Sequence, residues 1–277
     1  MTPDEYCRNQ AAPSGSSFYY SVLFLPAEKR RALNALFAFY REIEESTKEC
    51  SDLALGQLKL NWWRQELATA FGGRAQHPVT QALLPMTSQF ALPQELLLQL
   101  IDGVESGLLI NRHADFRSLQ GYCYRTSGLA EQLAARILGL NDPNALQHAQ
   151  ELGLAFGLTY VILNVRGDAL RNRILLPQDE LERFGVTAAD ILNLHETENF
   201  KKLIEFAIDK AESCYNRATS EFSAAEQKAQ RARMALAAIY RSTLREIRED
   251  GYRILRQRVD LTPVRKLWLA WKVWMGV

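Results

Sequence analysis

The sequence is short of cysteine, and the four it has, Cys7, Cys50, Cys123 and Cys214, show no CxxC spacing. That argues against a disulfide framework or a zinc site and suits buried thiols in a reducing compartment. An excess of charge is also missing, since 33 Lys and Arg stand against 32 Asp and Glu for a formal net charge of +1. A chain so balanced has no general attraction for nucleic acid, and any cationic site must be local. No run approaches the roughly 18 consecutive apolar residues of a spanning helix. The opening MTPDEYCRNQ lacks a basic segment followed by an apolar one, so a cytoplasmic protein is expected. Histidine is scarce: His77, His113, His148 and His195 lie far apart without ligand spacing such as HxxxH, and they read as surface or capping residues. A glycine-rich phosphate loop and a Ser/His/Asp order are absent as well.

What is present is helical periodicity. Apolar residues make up 47% of the 277 positions and recur at three- and four-residue spacing almost throughout, which predicts an all-α fold with a sizeable core. Pro26 opens a helix whose broad face carries Leu33, Leu36, Phe37, Tyr40, Ile43 and Glu44. Further helices are predicted over 53–71, 94–112, 116–139, 144–165, 197–220 and 225–256, with a short final one from Thr262-Pro263. The region 166–196 is the least regular. No repeat or linker appears, so residues 1–277 read as one domain.

One helix carries unusual acid density. In YREIEESTKE, Glu42, Glu44, Glu45 and Glu49 fall at spacings of three and four that share a helix face. Magnesium takes hard oxygen ligands and commonly bridges substrate phosphates, so two carboxylates one turn apart can serve it. The plain alternative is a solvated face with a Glu44–Lys48 ion pair. Near the C-terminus, LWLAWKVWM sets Leu267, Trp268, Trp271, Trp274 and Met275 on a helical face flanked by Lys266 and Lys272. Such a helix either packs on the domain or rests in a membrane interface.

The segments GSSFYYSVLFLPAEKRRALNALFAFYREIEES, WWRQEL, FGGRAQHPVTQAL, GYCYRTSGLAEQLAARILG, LGLAFGLTYVILNVRGDALRNRILLP and IYRSTLREIREDGYRILRQRVDLTPVRKLWLAWKVW occur in this order. Together they resemble the squalene/phytoene synthase family of head-to-head prenyl-diphosphate synthases, most of all the bacterial presqualene diphosphate synthases. The resemblance covers nearly the whole chain. It implies a single isoprenoid-synthase-type helical domain around a central apolar cavity, with Mg2+ and basic groups at the mouth holding the diphosphates of two prenyl substrates. Developing pyrophosphate charge needs that support.

Carried over residue by residue, the resemblance gives Ser17, Arg41, Tyr240 and Arg258 as diphosphate-binding and Tyr122 and Asp168 as catalytic. It gives Glu44, Glu45 and Asp168 as metal ligands. Both metal motifs depart from the family pattern. The first, usually DDxxD, falls on Glu44, Glu45, Ser46, Thr47 and Lys48, and a protonated lysine cannot ligate a metal. The second, roughly QLTNxLRDVxED, falls on residues 157–168, with Gly157 for Gln, Tyr160 for Asn, Leu163 for Arg and Asn164 for the first Asp. Glu131 replaces a family glycine beside the cavity, where a carboxylate needs a partner, and Phe37 stands where the family often has tyrosine. The expectation is a protein that binds an isoprenoid diphosphate or related lipid with weak or lost condensation activity. Noncatalytic family relatives act in respiratory complex I assembly, so a protein partner is an added expectation. The competing expectation is an active transferase joining two farnesyl or geranylgeranyl diphosphates. Peripheral placement at the inner face of the membrane would follow from the Trp-rich helix.

Overall fold

The computed structural model describes residues 1–48, 53–110 and 112–276, apart from the side chains of Lys48 and Leu109. Glu49 and Cys50, and the side chain that would form a Glu44–Lys48 pair, therefore lie outside the described residues. The described chain is helical with no strand. Its only β feature is an isolated bridge between Arg112 and Ile174.

The helices begin where the sequence supplies the missing N-terminal partners. Thr2 caps α1 (Pro3–Ala11) in a capping box, and Ser16 caps α2 (Ser17–Val22) by accepting from the Tyr19 amide. Then come α3 (Ala27–Lys48), α4 (Leu53–Phe71), α5 (Pro78–Gln89) and α6 (Gln94–Leu109). On α3 the predicted face holds: Leu33, Leu36 and Ile43 are fully buried. His77 caps α5 through Nδ1, as a capping residue should. His113 departs from expectation, for it is buried against Tyr122 at 5.5 Å between ring centroids.

The predicted helix over 116–139 is instead three joined pieces, α7 (Phe116–Cys123), a π-helical turn (Tyr124–Gly128) and α8 (Leu129–Leu138). The cause is close crossing by two neighbouring helices. A Cβ on Gly103 of α6 would stand 2.2 Å from the Arg125 carbonyl oxygen, and one on Gly153 would stand 2.6 Å from the Gly128 Cα. Gly153 lies on α9 (Pro143–Ala169), in which the eight consecutive residues from Leu152 to Thr159 are buried. A helix enclosed on all sides is the centre of the fold. It packs against α8, the π turn and α12 (Glu198–Glu221), and the buried Thr159 hydroxyl lies 2.9 Å from the Tyr215 hydroxyl of α12.

Two short helices, α10 (Gln178–Phe184) and α11 (Ala188–Leu192), occupy the irregular region. The helix expected over 225–256 divides at Gln230 into α13 (Ala224–Ala229) and α14 (Arg231–Glu249), and the chain turns after Asp250 with positive φ at Gly251 and Tyr252. Thr262 caps the last helix, α15 (Pro263–Met275). One buried core surrounds α9 and α12, and a second joins α3 to α5, α6 and α8.

Candidate active-site cavity

Between the two cores lies a cavity of about 410 Å3. Its walls come from α2, α3, the π turn and α8, α9, α14, the segment 258–260 and α15. The face of α3 supplies Phe37, Tyr40, Arg41 and Glu44, and that of α9 supplies Phe156, Tyr160, Leu163 and Asn164. Spacings of three and four bring each set to one side of its helix.

The expected residues are divided by this geometry. Ser17, Arg41, Tyr240, Arg258 and Glu44 all line the cavity, and so do Glu131, Tyr160 and Asn164. Glu45, Tyr122 and Asp168 are not among its lining residues. Tyr122 stands against Gly107, where a Cβ would meet its ring at 2.5 Å. Asp168 is buried near the end of α9, and its backbone carbonyl accepts from the amides of Arg171 and Arg173.

At the mouth, Arg41 and Arg258 are solvent-exposed, and Arg41 donates to the Gln10 carbonyl. Lys266 closes one side, donating to Asp260 at 2.8 Å and to the Gly15 carbonyl at 3.1 Å. It is only 2% exposed, so of the two lysines flanking the Trp-rich face it is the buried one. Burial, and after it the Glu44 carboxylate, pushes the Tyr40 phenol well above its ordinary value. Tyr240 is also raised, chiefly by burial. Both phenols stay protonated and can donate hydrogen bonds.

Deeper in, the carboxylate of Glu131 receives two bonds from Arg233, the Nε bond at 2.6 Å. Both side chains are almost wholly buried, at 4% and 1% exposure. Burial raises the Glu131 carboxyl against the opposing pull of Arg233. The guanidinium sits among the rings of Phe37, Phe156 and Phe18, at 4.7, 5.3 and 5.6 Å from their centroids. The demand of Glu131 for a partner was legible in the sequence. Arg233 was not, although it shares a face with Leu236 and Tyr240 at three- and seven-residue spacing.

These donors do not fit a magnesium cluster. Glu131 and Asp260 are engaged by cations, and position 164 offers a neutral amide whose Nδ2 donates to the Tyr160 carbonyl at 2.8 Å. Among the described residues no group of three or more His, Cys, Asp or Glu side chains stands together to hold a metal ion. Magnesium needs charge from several hard oxygens gathered at one point.

The fold and cavity define an all-α protein built around a pocket with a cationic mouth, the arrangement of isoprenoid synthases. The squalene/phytoene synthase family model matches residues 11–265, and the chain belongs to that family. It is 27% identical over 275 residues to the 15-cis-phytoene synthase of Synechococcus elongatus, covering 95% of this chain and 89% of the relative. It is 30% identical over 268 residues to the phytoene synthase of Mycobacterium tuberculosis, covering 92% and 84%. A dehydrosqualene synthase crystallised with a ligand superposes with a TM-score of 0.86 at 22% identity, over 99% of this chain and 96% of the other. The squalene synthase of Alicyclobacillus acidocaldarius superposes with a TM-score of 0.76 at 24% identity, over 90% and 94%. Members of this family are prenyl-diphosphate synthases and generally depend on magnesium.

Proposed function

We propose that residues 1–277 act as one squalene/phytoene synthase-like domain that binds an isoprenoid diphosphate or related lipid and has weak or lost head-to-head condensation activity. The observation that carries this reading is the Glu131–Arg233 ion pair, which sets two charges in the cavity wall beside which prenyl tails would lie. An apolar tail gains about 0.8 kcal/mol per methylene buried against apolar walls. A charged pair in the wall offers it less apolar surface to pack against. The absence of gathered carboxylates among the described residues supports the same direction, because leaving-group stabilisation by metal and donors contributes several kcal/mol to such ionisations. Ser17, Arg41, Tyr240 and Arg258 support retained anion binding, since they share one cavity and arginine forks suit phosphate oxygens. The roles given to Tyr122 and Asp168 are indirect in this reading, through packing beside the cavity walls.

Peripheral membrane contact through α15 belongs to the same proposal. Leu267, Trp268, Trp271 and Met275 are exposed, while Trp274 is partly buried against the core, with its ring 6.0 Å from that of Phe24. No described helix is long and apolar enough to cross a membrane.

A second reading, an active transferase condensing two farnesyl or geranylgeranyl diphosphates, is favoured by the relatives named phytoene synthase. Incubating the purified protein with Mg2+ and radiolabelled farnesyl or geranylgeranyl diphosphate separates the two. Binding without release of pyrophosphate or a C30 or C40 product is expected, and turnover at ordinary synthase rates would establish the second reading instead.

A further inference from the structure

The walls that α3 and α9 turn to the cavity carry a single carboxylate among the described residues, that of Glu44. Around it stand Tyr40 and Arg41 from α3, Tyr160 and Asn164 from α9, and Tyr240 and Arg258 beyond them. Tyr40 lies within electrostatic reach of Tyr160, and Tyr240 within reach of Arg41, so the groups face one space. Each of them keeps open surface. Arg41 and Arg258 are exposed, and Tyr40, Glu44, Tyr160, Asn164 and Tyr240 are half-buried. We propose that this mouth holds the diphosphate head of an isoprenoid directly, through arginine and neutral donors, with no divalent ion between protein and phosphate. This deepens the lipid-binding reading above and rests on it.

The donor set decides between a bridged and a direct contact. A magnesium bridge needs anionic oxygens on the protein to offset the ion's reluctance to shed water. Glu44 offers one such group, and the other carboxylates of the lining, Glu131 and Asp260, are held by Arg233 and Lys266. The phenol O–H and amide N–H groups donate to phosphate oxygens and bring no charge to a metal. Arginine supplies the charge, in a fork that matches those oxygens. In a direct contact the Glu44 carboxylate repels the head, whereas in a bridged one it shares the cation with it. The sign of its effect on binding therefore tells the two apart.

Equilibrium dialysis of the full chain with radiolabelled farnesyl diphosphate and farnesol, each in EDTA and in Mg2+, tests this. Magnesium should raise the affinity for farnesyl diphosphate by less than about threefold. In EDTA farnesyl diphosphate should bind at least about tenfold more tightly than farnesol, which shares the tail and lacks the charge. Arg41→Gln or Arg258→Gln should erase most of that margin. Glu44→Gln, which keeps the shape and removes the charge, should tighten farnesyl diphosphate binding by about threefold or more and leave farnesol unchanged. A larger rise with Mg2+ would overturn the inference, as would unchanged or weakened binding in Glu44→Gln. So would farnesyl diphosphate binding no tighter than farnesol in EDTA, since the tail alone would then be held. The wild-type comparisons decide the matter even where a variant fails to fold. These outcomes sink only this inference, whereas failure to bind either ligand under both conditions sinks the lipid-binding reading as well.

Discussion

At the scale of single residues, charge placement separates what the sequence discloses from what it hides. Glu131 was conspicuous because it stands where the family resemblance places a glycine beside the cavity, and a carboxylate there demands a partner. Its partner lies 102 residues away, and an arginine in RARMALAAIY reads equally well as a solvated residue. Only the packing of α14 against α2 and α9 brings them together. Removing one member of a buried pair strands the other, so Glu131→Ala should lower unfolding stability by about 3–5 kcal/mol. The Arg233→Met, Glu131→Leu double variant should fall within about 2 kcal/mol of wild type, both read from denaturant melts. His113 gives a second test at this scale. Burial, aided by Arg173 and Arg125, pushes its imidazole down to about 4. A histidine lowered on folding contributes stability that is complete above its unfolded value near 6.5 and is lost as pH falls toward 4. Wild-type stability should therefore drop across that window by a few kcal/mol. His113→Gln should show a shallower slope over the same range.

At the scale of elements, helix starts were readable and helix interruptions were not. Pro26, Pro143 and Thr262-Pro263 mark starts because proline suits the first turn and hydroxyls cap it. The π turn left no such sign, because its residues and flanks keep right-handed helical angles and the cause lies in other helices. The break at Gln230 and the early end of α14 were hidden likewise, since no Gly or Pro stands beside Gln230 and apolar residues resume at Tyr252, Ile254 and Leu255 just past Glu249. The close crossing makes a graded prediction. In Gly153→Ala the new methyl meets backbone, with Gly128 Cα and Ser127 O both at 2.6 Å, so neighbours cannot turn aside. In Gly157→Ala it meets side chains, with Cys123 Sγ at 2.9 Å, Cys123 Cβ at 3.0 Å and Ser127 Oγ at 3.2 Å; the thiol and hydroxyl can rotate and only the Cβ must give, by a few tenths of an ångström. Alanine gains about 1 kcal/mol of helix propensity in both. Thermal melts should show Gly153→Ala destabilised by about 1–3 kcal/mol net of that gain, and Gly157→Ala near neutral.

At the scale of the whole molecule, the question is how water-insoluble ligands would reach a cavity whose mouth is cationic. The segment 258–260 at the mouth leads directly into α15, which lays Trp268 and Trp271 open to solvent at 52% and 46%. Tryptophan favours the lipid–water interface because its ring is apolar and its N–H is polar. The sequence placed Leu267, Trp268, Trp271, Trp274 and Met275 on one face flanked by Lys266 and Lys272, but the fold divides them: Trp274 is partly buried against the core, and Lys266 turns in to Asp260. What is left outside is mostly apolar, with Lys272 held 4.8 Å over the Trp268 ring. Attachment through this face should therefore depend on insertion more than on charge, and salt should weaken it only slightly. Cosedimentation with phosphatidylglycerol vesicles is expected to persist from low to high salt. It should fall severalfold in Trp268→Ala/Trp271→Ala, with farnesyl diphosphate affinity unchanged because neither residue lines the cavity. Strong salt sensitivity with no effect of the double variant would locate attachment at the Arg41–Arg258 mouth instead.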